Sequence, residues 1–478
     1  MLNAEKYKIS YSTLLIIVLS FLTSGIILCG SGKVIAAFCL LPVLTIFYLN
    51  APPFAKIVIP MVMLTFPITI QALGKDAFST GTLAIFSTLA WALSKYKFGK
   101  TLAYDKNILG FLLLLVVIAL IGMVTQTPGA YWGPAIRHYL NFISSVAIFF
   151  LIVHSQYMTG TANSKKEYIE KLISVLLSIT VVHVFLSFLI FNFQWIEKYF
   201  SIFLSRNQEH LGRHIVHDVY VRATSVFTGG EEFGELLILL FPFALYKLFL
   251  SRKKIYWFII GSLLIGVVIS GTRSAFLLIV FQTLAFVYIL VPKKYNSRKI
   301  VITVGFAIVF ILMLPVFMKY SYILMDRVQV TLDQVGQDDD IVTISNRSTV
   351  WPLAWDTTVK TISLFGHGPI QAARLGFPVR NFHNLYLSLI FQFGIIGSMV
   401  FLMFFYALAK RLFVMLKNSK KNKGPEYLLA VTCLLSLFCF LINEIKFEFN
   451  RGDSYQQFVW IFFGIFYLTG TIWKNYKT

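Results

Sequence analysis

The sequence predicts an all-α, polytopic integral membrane protein with about fourteen transmembrane helices and two long outer loops that contain short surface helices. Hydrophobic residues make up 57% of the 478 residues, and the mean hydropathy is +0.75. Charged residues make up 13%, against about a quarter in a typical soluble protein. The apolar residues also come in blocks of roughly 15 to 25, the length needed to cross a hydrocarbon core.

Fourteen apolar blocks are predicted to span the membrane within a single domain, residues 1–478. No cleavable signal peptide is expected, because the first block lacks a small-residue cleavage site and is followed at once by a second block. The predicted spans are 12–29, 34–49, 54–73, 78–93, 108–124, 139–153, 172–191, 233–250, 255–269, 275–291, 300–317, 385–409, 428–442 and 458–473.

Basic residues are concentrated in alternate connections between these spans. The net charge is +21, and most of it lies on the side that also holds both termini. This asymmetry is the positive-inside pattern, which predicts cytoplasmic N and C termini. It also accounts for the positive charge, so a nucleic-acid partner is not expected. The basic connections contain Lys95, Lys97, Lys100 and Lys106; Arg252, Lys253 and Lys254; Lys293, Lys294, Arg298 and Lys299; and the run from Lys410 to Lys423.

The four cysteines all fall within predicted spans, so they are interpreted as small apolar packing residues. Because none lies in an outer loop, a disulfide framework is not expected, and their spacing is not that of a metal site. They are Cys29, Cys39, Cys433 and Cys439.

Two outer loops are much longer than the other connections: residues 192–232 and residues 318–384. Loops of this length without low-complexity composition are usually functional. In the second loop, residues 345–355 predict an amphipathic surface helix that Ser345 or Asn346 could cap. The Gly366-His367-Gly368-Pro369 turn and the segment 381–386 follow, so we predict that this loop is catalytic.

Four arginines lie at outer span ends or in the outer loops: Arg137, Arg222, Arg273 and Arg347. Each could be a snorkelling or solvated cation. Alternatively, each could bind an anion, because a guanidinium group presents a fork of donors that matches phosphate and stays charged. Several such residues at the outer membrane edge fit an anionic lipid headgroup.

His383 is the best candidate for a proton-transfer group, because a neutral imidazole can accept a proton from a hydroxyl near pH 7. The alternative is a histidine that lines the start of a helix. His367, in a turn, is a weaker candidate, and His183, within a span, is predicted to be a buried hydrogen-bonding residue.

Two patterns could suggest a metal, but no metal site is predicted. His210, His214 and His217 have a spacing that could place three imidazoles on one helical face, but Gly212 weakens such a helix and no glutamate base accompanies them. The run Asp338-Asp339-Asp340 is similar to the acidic motif of nucleotide-sugar transferases. Because it lies in an outer loop, away from nucleotides, it is interpreted as a solvated segment.

Together these motifs resemble the O-antigen ligase and O-antigen polymerase superfamily. The resemblance covers roughly residues 222–411. After Arg222 the family often has a Pro-Asn pair, where this chain reads Gly229-Gly230-Glu231-Glu232. The motifs are the segment 222–227, Gly271-Thr272-Arg273-Ser274, Arg347-x-x-x-Trp351, Gly366-His367-Gly368, Phe382-His383-Asn384-x-Tyr386 and Gly394-Ile395-Ile396-Gly397.

The resemblance implies a glycosyltransferase of the bacterial inner membrane whose active site faces the periplasm. Such an enzyme is implied to be inverting and to need neither metal nor cofactor. His383 is implied to be the general base and Arg347 and Arg273 the essential arginines. Further predicted contacts to pyrophosphate or glycan are Arg222, Arg137, Tyr386 and Asn384. The implied partners are an undecaprenyl-pyrophosphate-linked donor, an acceptor glycan and membrane lipids, and a chain-length regulator protein is a further partner to consider.

Three functions remain open at this point. Fourteen spans favour a polymerase of O-antigen or a related surface polysaccharide over a ligase that attaches the glycan to the lipid A core, because ligases of this family usually have about twelve. The alternative of a different class is a flippase for lipid-linked oligosaccharides. A transporter should carry its ionisable residues at the bilayer midplane, whereas here the candidates cluster outside.

Overall fold

A computed structural model describes fourteen segments of the chain, together with single residues and short stretches between 296 and 315. The segments are residues 51–65, 69–72, 75–95, 106–158, 165–193, 212–216, 220–225, 230–251, 253–290, 347–379, 382–420, 424–446, 448–451 and 453–472. The first two predicted spans and the Asp338-Asp339-Asp340 run lie outside these residues, as do Cys29 and Cys39.

Helices dominate the described residues, which confirms the all-α class. They are α1 Pro53–Thr65, α2 Thr80–Lys95, α3 Lys106–Gln126, α4 Trp132–Met158, α5 Lys165–Asn192, α6 Gly230–Ser251, α7 Ile255–Ser270, α8 Arg273–Leu284, α9 Arg347–Lys360, α10 Leu385–Ser419, α11 Pro425–Asn443 and α12 Asp453–Thr471. Two short antiparallel hairpins join them: β1 Thr69–Ala72 with β2 Lys75–Ser79, and β3 Gly212–Val216 with β4 Tyr220–Ser225.

Six helices in the described part of the chain are long and apolar enough to cross a membrane: Ile108–Gln126, Gly129–His154, Lys165–Asn192, Gly230–Ser251, Leu385–Ser419 and Pro425–Asn443. Three shorter apolar helices accompany them: Pro53–Leu64, Ile255–Ser270 and Arg273–Tyr288. These spans agree with the predicted class of polytopic membrane protein, although the predicted total of fourteen is not tested by the described residues.

The centre of the bundle is an aromatic cluster around Trp460 of α12. Its indole is fully buried, and its ring centroid lies 6.2 Å from that of Phe142, 6.1 Å from Phe149, 5.6 Å from Phe404 and 5.6 Å from Phe463. Edge-to-face and stacked contacts at these distances stabilise a core beyond simple area burial. The cluster joins α4, α10 and α12.

Helix α10 is broken inside its predicted span. Gly394 has φ 67° and ψ −172°, which a helix cannot contain. The loop at 363–368 fills the break: Ile395 N donates to Ser363 O at 3.1 Å, and Gly368 N donates to Gln392 O at 2.8 Å. An unwound backbone within a membrane is tolerated where protein groups satisfy it. The span predicted over 385–409 falls within the candidate span Leu385–Ser419, but the break at Gly394 was not predicted, because a single glycine gives a weak signal in a transmembrane helix.

The two ends of the bundle differ, and each is named here by one residue. The His383 end holds the starts of α6, α8, α10 and α12 and the C-terminal end of α11. The Lys247 end holds the start of α5 and the C-terminal end of α6, where Glu170 accepts hydrogen bonds from Tyr246 Oη and Lys247 Nζ.

Candidate functional site

His383 lies in a short connection that leads into α10. Its φ is 48°. Among the residues that the structure describes, His383 is the only one other than glycine with a positive φ. Asn384 caps the helix that follows, since its Oδ1 accepts from Tyr386 N at 3.0 Å and from Leu387 N at 3.1 Å. His383 therefore lies just before the first turn of α10, where the sequence predicts it.

Helix α9 brings the Arg347 motif to His383. Arg347 is the first residue of α9, and Trp351 follows one helical turn later. The Trp351 indole Nε1 donates to the carbonyl oxygen of His383 at 3.2 Å. Trp351 of the Arg-x-x-x-Trp motif thus has a structural role: its hydrogen bond places the first turns of α9 beside the connection that contains His383.

Arg273 begins α8 at the same end of the bundle. Gly271, with φ 61°, ends α7, and Thr272 Oγ1 donates to Gly230 O at 2.9 Å. A Cβ on Gly234 would lie only 2.7 Å from Thr272 Oγ1, so the start of α8 packs tightly on the first turns of α6. The turn between α7 and α8 is therefore tight, and Arg273 lies at its end.

The first turns of α6 connect Arg273 to His383 through α11. Glu235 of α6 accepts a hydrogen bond from Asn443 Nδ2 at the end of α11. The next residue, Glu444, accepts through its carbonyl oxygen from Leu385 N at 3.0 Å. Two hydrogen bonds therefore connect α6, on which the start of α8 packs, to the first turn of α10.

The residues that follow α11 form hydrogen bonds with the connection that contains His383. Phe382 N donates to Glu448 Oε1 at 3.1 Å, and Asn384 Nδ2 donates to Ile445 O at 2.9 Å. Tyr386 Oη donates to Leu441 O at 3.1 Å. Asn384 and Tyr386, both predicted to contact substrate, thus have structural partners, and their contact to substrate stays a prediction.

Four buried glutamates surround this region, and none of them was predicted to be a site residue. They are Glu232, Glu235, Glu444 and Glu448, each no more than 4% exposed. The pKa of Glu444 is raised well above its usual value because the side chain is fully buried and the Glu235 carboxyl lies beside it. Glu235 lies inside the predicted span 233–250. A single acid in an apolar run is a signal that could have found it.

His367 has a structural environment that differs from that of His383. Its ring stacks on Phe391 with centroids 4.5 Å apart, and its Nδ1 lies 3.2 Å from Phe391 O. Burial lowers the pKa of the imidazole, which favours its neutral form. Thr127 Oγ1 donates to the His367 carbonyl oxygen at 3.3 Å, so this turn binds α3 to the break in α10.

The other two predicted arginines lie on different elements. Arg137 is in the first turns of α4, two residues after Ala135, which packs with Met123 and Ile370 beside the His367 turn. Arg222 is on β4, opposite His214 of β3, in the hairpin that packs against α5 and α6.

The three-histidine helical face is not formed, because His214 lies in strand β3 and not in a helix. His210 and His217 fall outside the described residues. Among the residues that the structure describes, no group of three metal-ligating side chains is found. His183 is fully buried on α5 with its ring centroid 6.1 Å from that of Phe458, which confirms its predicted burial, while its hydrogen bond stays a prediction. Cys433 and Cys439 are buried packing residues.

Residues 236–402 match a family model described as O-antigen ligase. The resemblance to the O-antigen ligase and polymerase superfamily is confirmed. The O-antigen ligase match covers about a third of the chain and includes Arg273, Arg347 and His383. It supports a membrane enzyme of the ligase or polymerase type, acting on lipid-linked polysaccharide, and does not distinguish the two. No curated protein matches the chain.

Proposed function

We propose that this protein is a polymerase of O-antigen or a related surface polysaccharide. It transfers glycan from an undecaprenyl-pyrophosphate-linked donor to a hydroxyl of a lipid-linked acceptor glycan, on the periplasmic face of a bacterial inner membrane. The observation that carries the proposal is the hydrogen bond from Trp351 to His383, because it joins the helix that begins at Arg347 to the candidate base.

His383 acts as the general base in this proposal. The acceptor hydroxyl oxygen attacks the anomeric carbon of the donor sugar while its proton passes to the imidazole. The bond from the anomeric carbon to the pyrophosphate oxygen breaks, and undecaprenyl pyrophosphate leaves with the electron pair. Direct displacement of this kind inverts the anomeric centre.

Arg347 and Arg273 stabilise the departing pyrophosphate. Both residues begin helices at the His383 end of the bundle. Guanidinium groups form bidentate, charge-assisted hydrogen bonds to phosphate oxygens, so they can neutralise the leaving group without a divalent cation. Arg137 and Arg222 are proposed as further contacts to the donor, with Tyr386 and Asn384 as contacts near the acceptor.

An O-antigen ligase is the second candidate, because the matching family model carries that description. The same residues would serve, with the hydroxyl on the lipid A core as acceptor. A flippase is disfavoured because the predicted anion-binding arginines lie at helix starts and in outer segments rather than along a path through the bundle.

Replacing His383 by Ala in the native host separates these functions. If the protein is a polymerase, surface polysaccharide on a gel collapses to single repeat units on the core. If it is a ligase, bare core appears and long chains accumulate on the lipid carrier. His154→Ala is the matched control, because that imidazole lies far along α4 on Phe150, and it should keep the normal ladder. A normal ladder in His383→Ala would overturn the assigned base.

Purified protein then tests the class of enzyme. Lipid-linked repeat units should be turned over in a chelating buffer, and Arg273→Ala or Arg347→Ala should lower the rate by about 100-fold or more, as loss of a group that stabilises a developing charge does. Turnover that required added divalent cation would overturn the arginine mechanism.

A further inference from the structure

The backbone at His383 has a less common conformation. A φ of 48° lies in the left-handed region, which only a few per cent of non-glycine residues adopt, with asparagine, aspartate and histidine enriched among them. Such a conformation persists when the surrounding structure holds it, and it is typical of functional sites. The contacts on either side of His383 therefore decide where its imidazole sits.

Side chains from two other elements hold the backbone around His383. On one side, Trp351 Nε1 donates to the His383 carbonyl oxygen at 3.2 Å. On the other side, Phe382 N donates to Glu448 Oε1 at 3.1 Å. The first bond fixes the carbonyl group of His383, which depends on its ψ, and the second anchors the backbone of Phe382, the residue that leads into His383.

Glu448 is itself rigidly placed. Glu448 is only 4% exposed. The next residue, Phe449, donates its backbone N–H to Glu444 Oε2 at 3.0 Å, and its ring lies 5.8 Å from that of Phe440 and 6.0 Å from that of Phe463. The buried side chain of Glu448 is therefore fixed where its Oε1 can accept from Phe382 N.

We propose that Glu448 is a positioning residue for His383, which accepts the Phe382 N–H and thereby anchors the residue that leads into the left-handed backbone of His383. The inference rests on the proposed role of His383 as the base. It assigns a role to the connection between α11 and α12, which lies outside the matched family segment. Glu448 acts through the geometry of the imidazole and not by contact with substrate.

Kinetics of purified full-length variants on lipid-linked repeat units test this role. Glu448→Ala should lower kcat by about 10- to 100-fold, the cost of misplacing a catalytic group by about 1 Å, with KM nearly unchanged. Glu448→Gln should keep most of the activity, because its amide oxygen can accept the same N–H. Glu448→Asp, which withdraws the carboxylate by one methylene, should resemble Ala and supplies the test should the alanine variant fail to fold.

A double variant makes the inference specific. In a His383→Ala background, Glu448→Ala should cause no further loss, because its effect passes through the missing imidazole. A further full loss in the double variant would overturn the positioning role, as would a glutamine variant as slow as the alanine variant. Full activity of His383→Ala alone would instead overturn the proposed base, and the two failures are thus distinguishable.

Discussion

The two ends of the helix bundle treat buried charge in opposite ways. At the Lys247 end, acids are paired with bases: Glu170 binds Lys247 and Tyr246, and Lys166 Nζ lies 2.8 Å from Glu426 Oε1. At the His383 end, Glu235 and Glu444 are fully buried beside each other, and neither is in an ion pair among the described residues.

This difference indicates which end is shaped by stability and which by function. A buried acid that is paired with a base recovers part of its desolvation cost, whereas two neighbouring acids raise it. Clusters of this kind, like strained backbone, are typical of functional sites. The His383 end carries both, and it is also the end where the arginine-bearing helices begin.

The largest expected effect comes from the broken helix at the His383 end. Gly394→Ala would force a Cβ onto the Leu364 carbonyl oxygen at a backbone conformation with φ 67°. We expect a loss of at least about 3 kcal/mol in the free energy of unfolding, and little folded protein by fluorescence-detected size exclusion. Gly110→Ala on α3 is the control, because nothing lies within 4 Å of its added Cβ. A well-folded Gly394→Ala would contradict the close packing of 363–368 in the break.

The next effect should separate stability from catalysis at the Lys247 end. Glu170→Ala would leave Lys247, which is 8% exposed, without its carboxylate, at a cost of about 2–3 kcal/mol. The melting temperature should fall, while the transfer rate per folded molecule stays unchanged.

Glu167→Ala is the matched control for that prediction. Glu167 pairs with Lys171 one turn apart at 2.9 Å, but both side chains are about half exposed. Its removal should change stability by no more than about 0.5 kcal/mol. A slow but stable Glu170→Ala enzyme would show that the Lys247 end takes part in transfer, and the contrast between the ends would fail.

The sequence predicts the helices and the positions of His383 and Arg273 at helix starts well, because both depend on local signals. Apolar length marks the spans, and Asn384 before an apolar run marks the start of α10. His383 and Arg273 fall at these boundaries, so their location at helix starts could be predicted. Arg347 also begins a helix, within the segment 345–355 that predicted a surface helix.

The buried acids and the helix break could not be predicted in the same way, because they depend on contacts distant in sequence. Glu448 and Phe382, which share a hydrogen bond, are separated by 66 positions. The break in α10 at Gly394 is stabilised by backbone hydrogen bonds to residues 363–368. Glutamates at the outer margins of spans are interpreted as solvated until neighbouring helices are known to cover them. Glu235, one turn inside a span, was the exception that hydropathy alone could have flagged.

The smallest expected effect tests the acid pair at the His383 end by its pH dependence. Because burial and Glu235 raise the pKa of Glu444, the folded protein keeps a proton that the unfolded chain releases above the usual carboxyl pKa. The free energy of unfolding should therefore fall as the pH rises from acid towards neutral. Glu444→Gln imitates the protonated acid and does not titrate, and its amide oxygen can still accept from Phe449 N. We expect its melting temperature at pH 7 to exceed that of the parent by about 1–3 °C, the shift for about 1 kcal/mol, with a smaller gain at pH 5.

The same substitution at the Lys247 end should have the opposite sign. Glu426→Gln removes the carboxylate from Lys166 without relieving any like charge, so its melting temperature at pH 7 should fall slightly. Opposite shifts for two Glu→Gln changes in one bundle would mean that the ends differ in how they hold acid, not in how well they pack. If Glu444→Gln lowered the melting temperature at pH 7, Glu444 would have to be ionised in the folded protein, and the acid pair would need a cation that balances it.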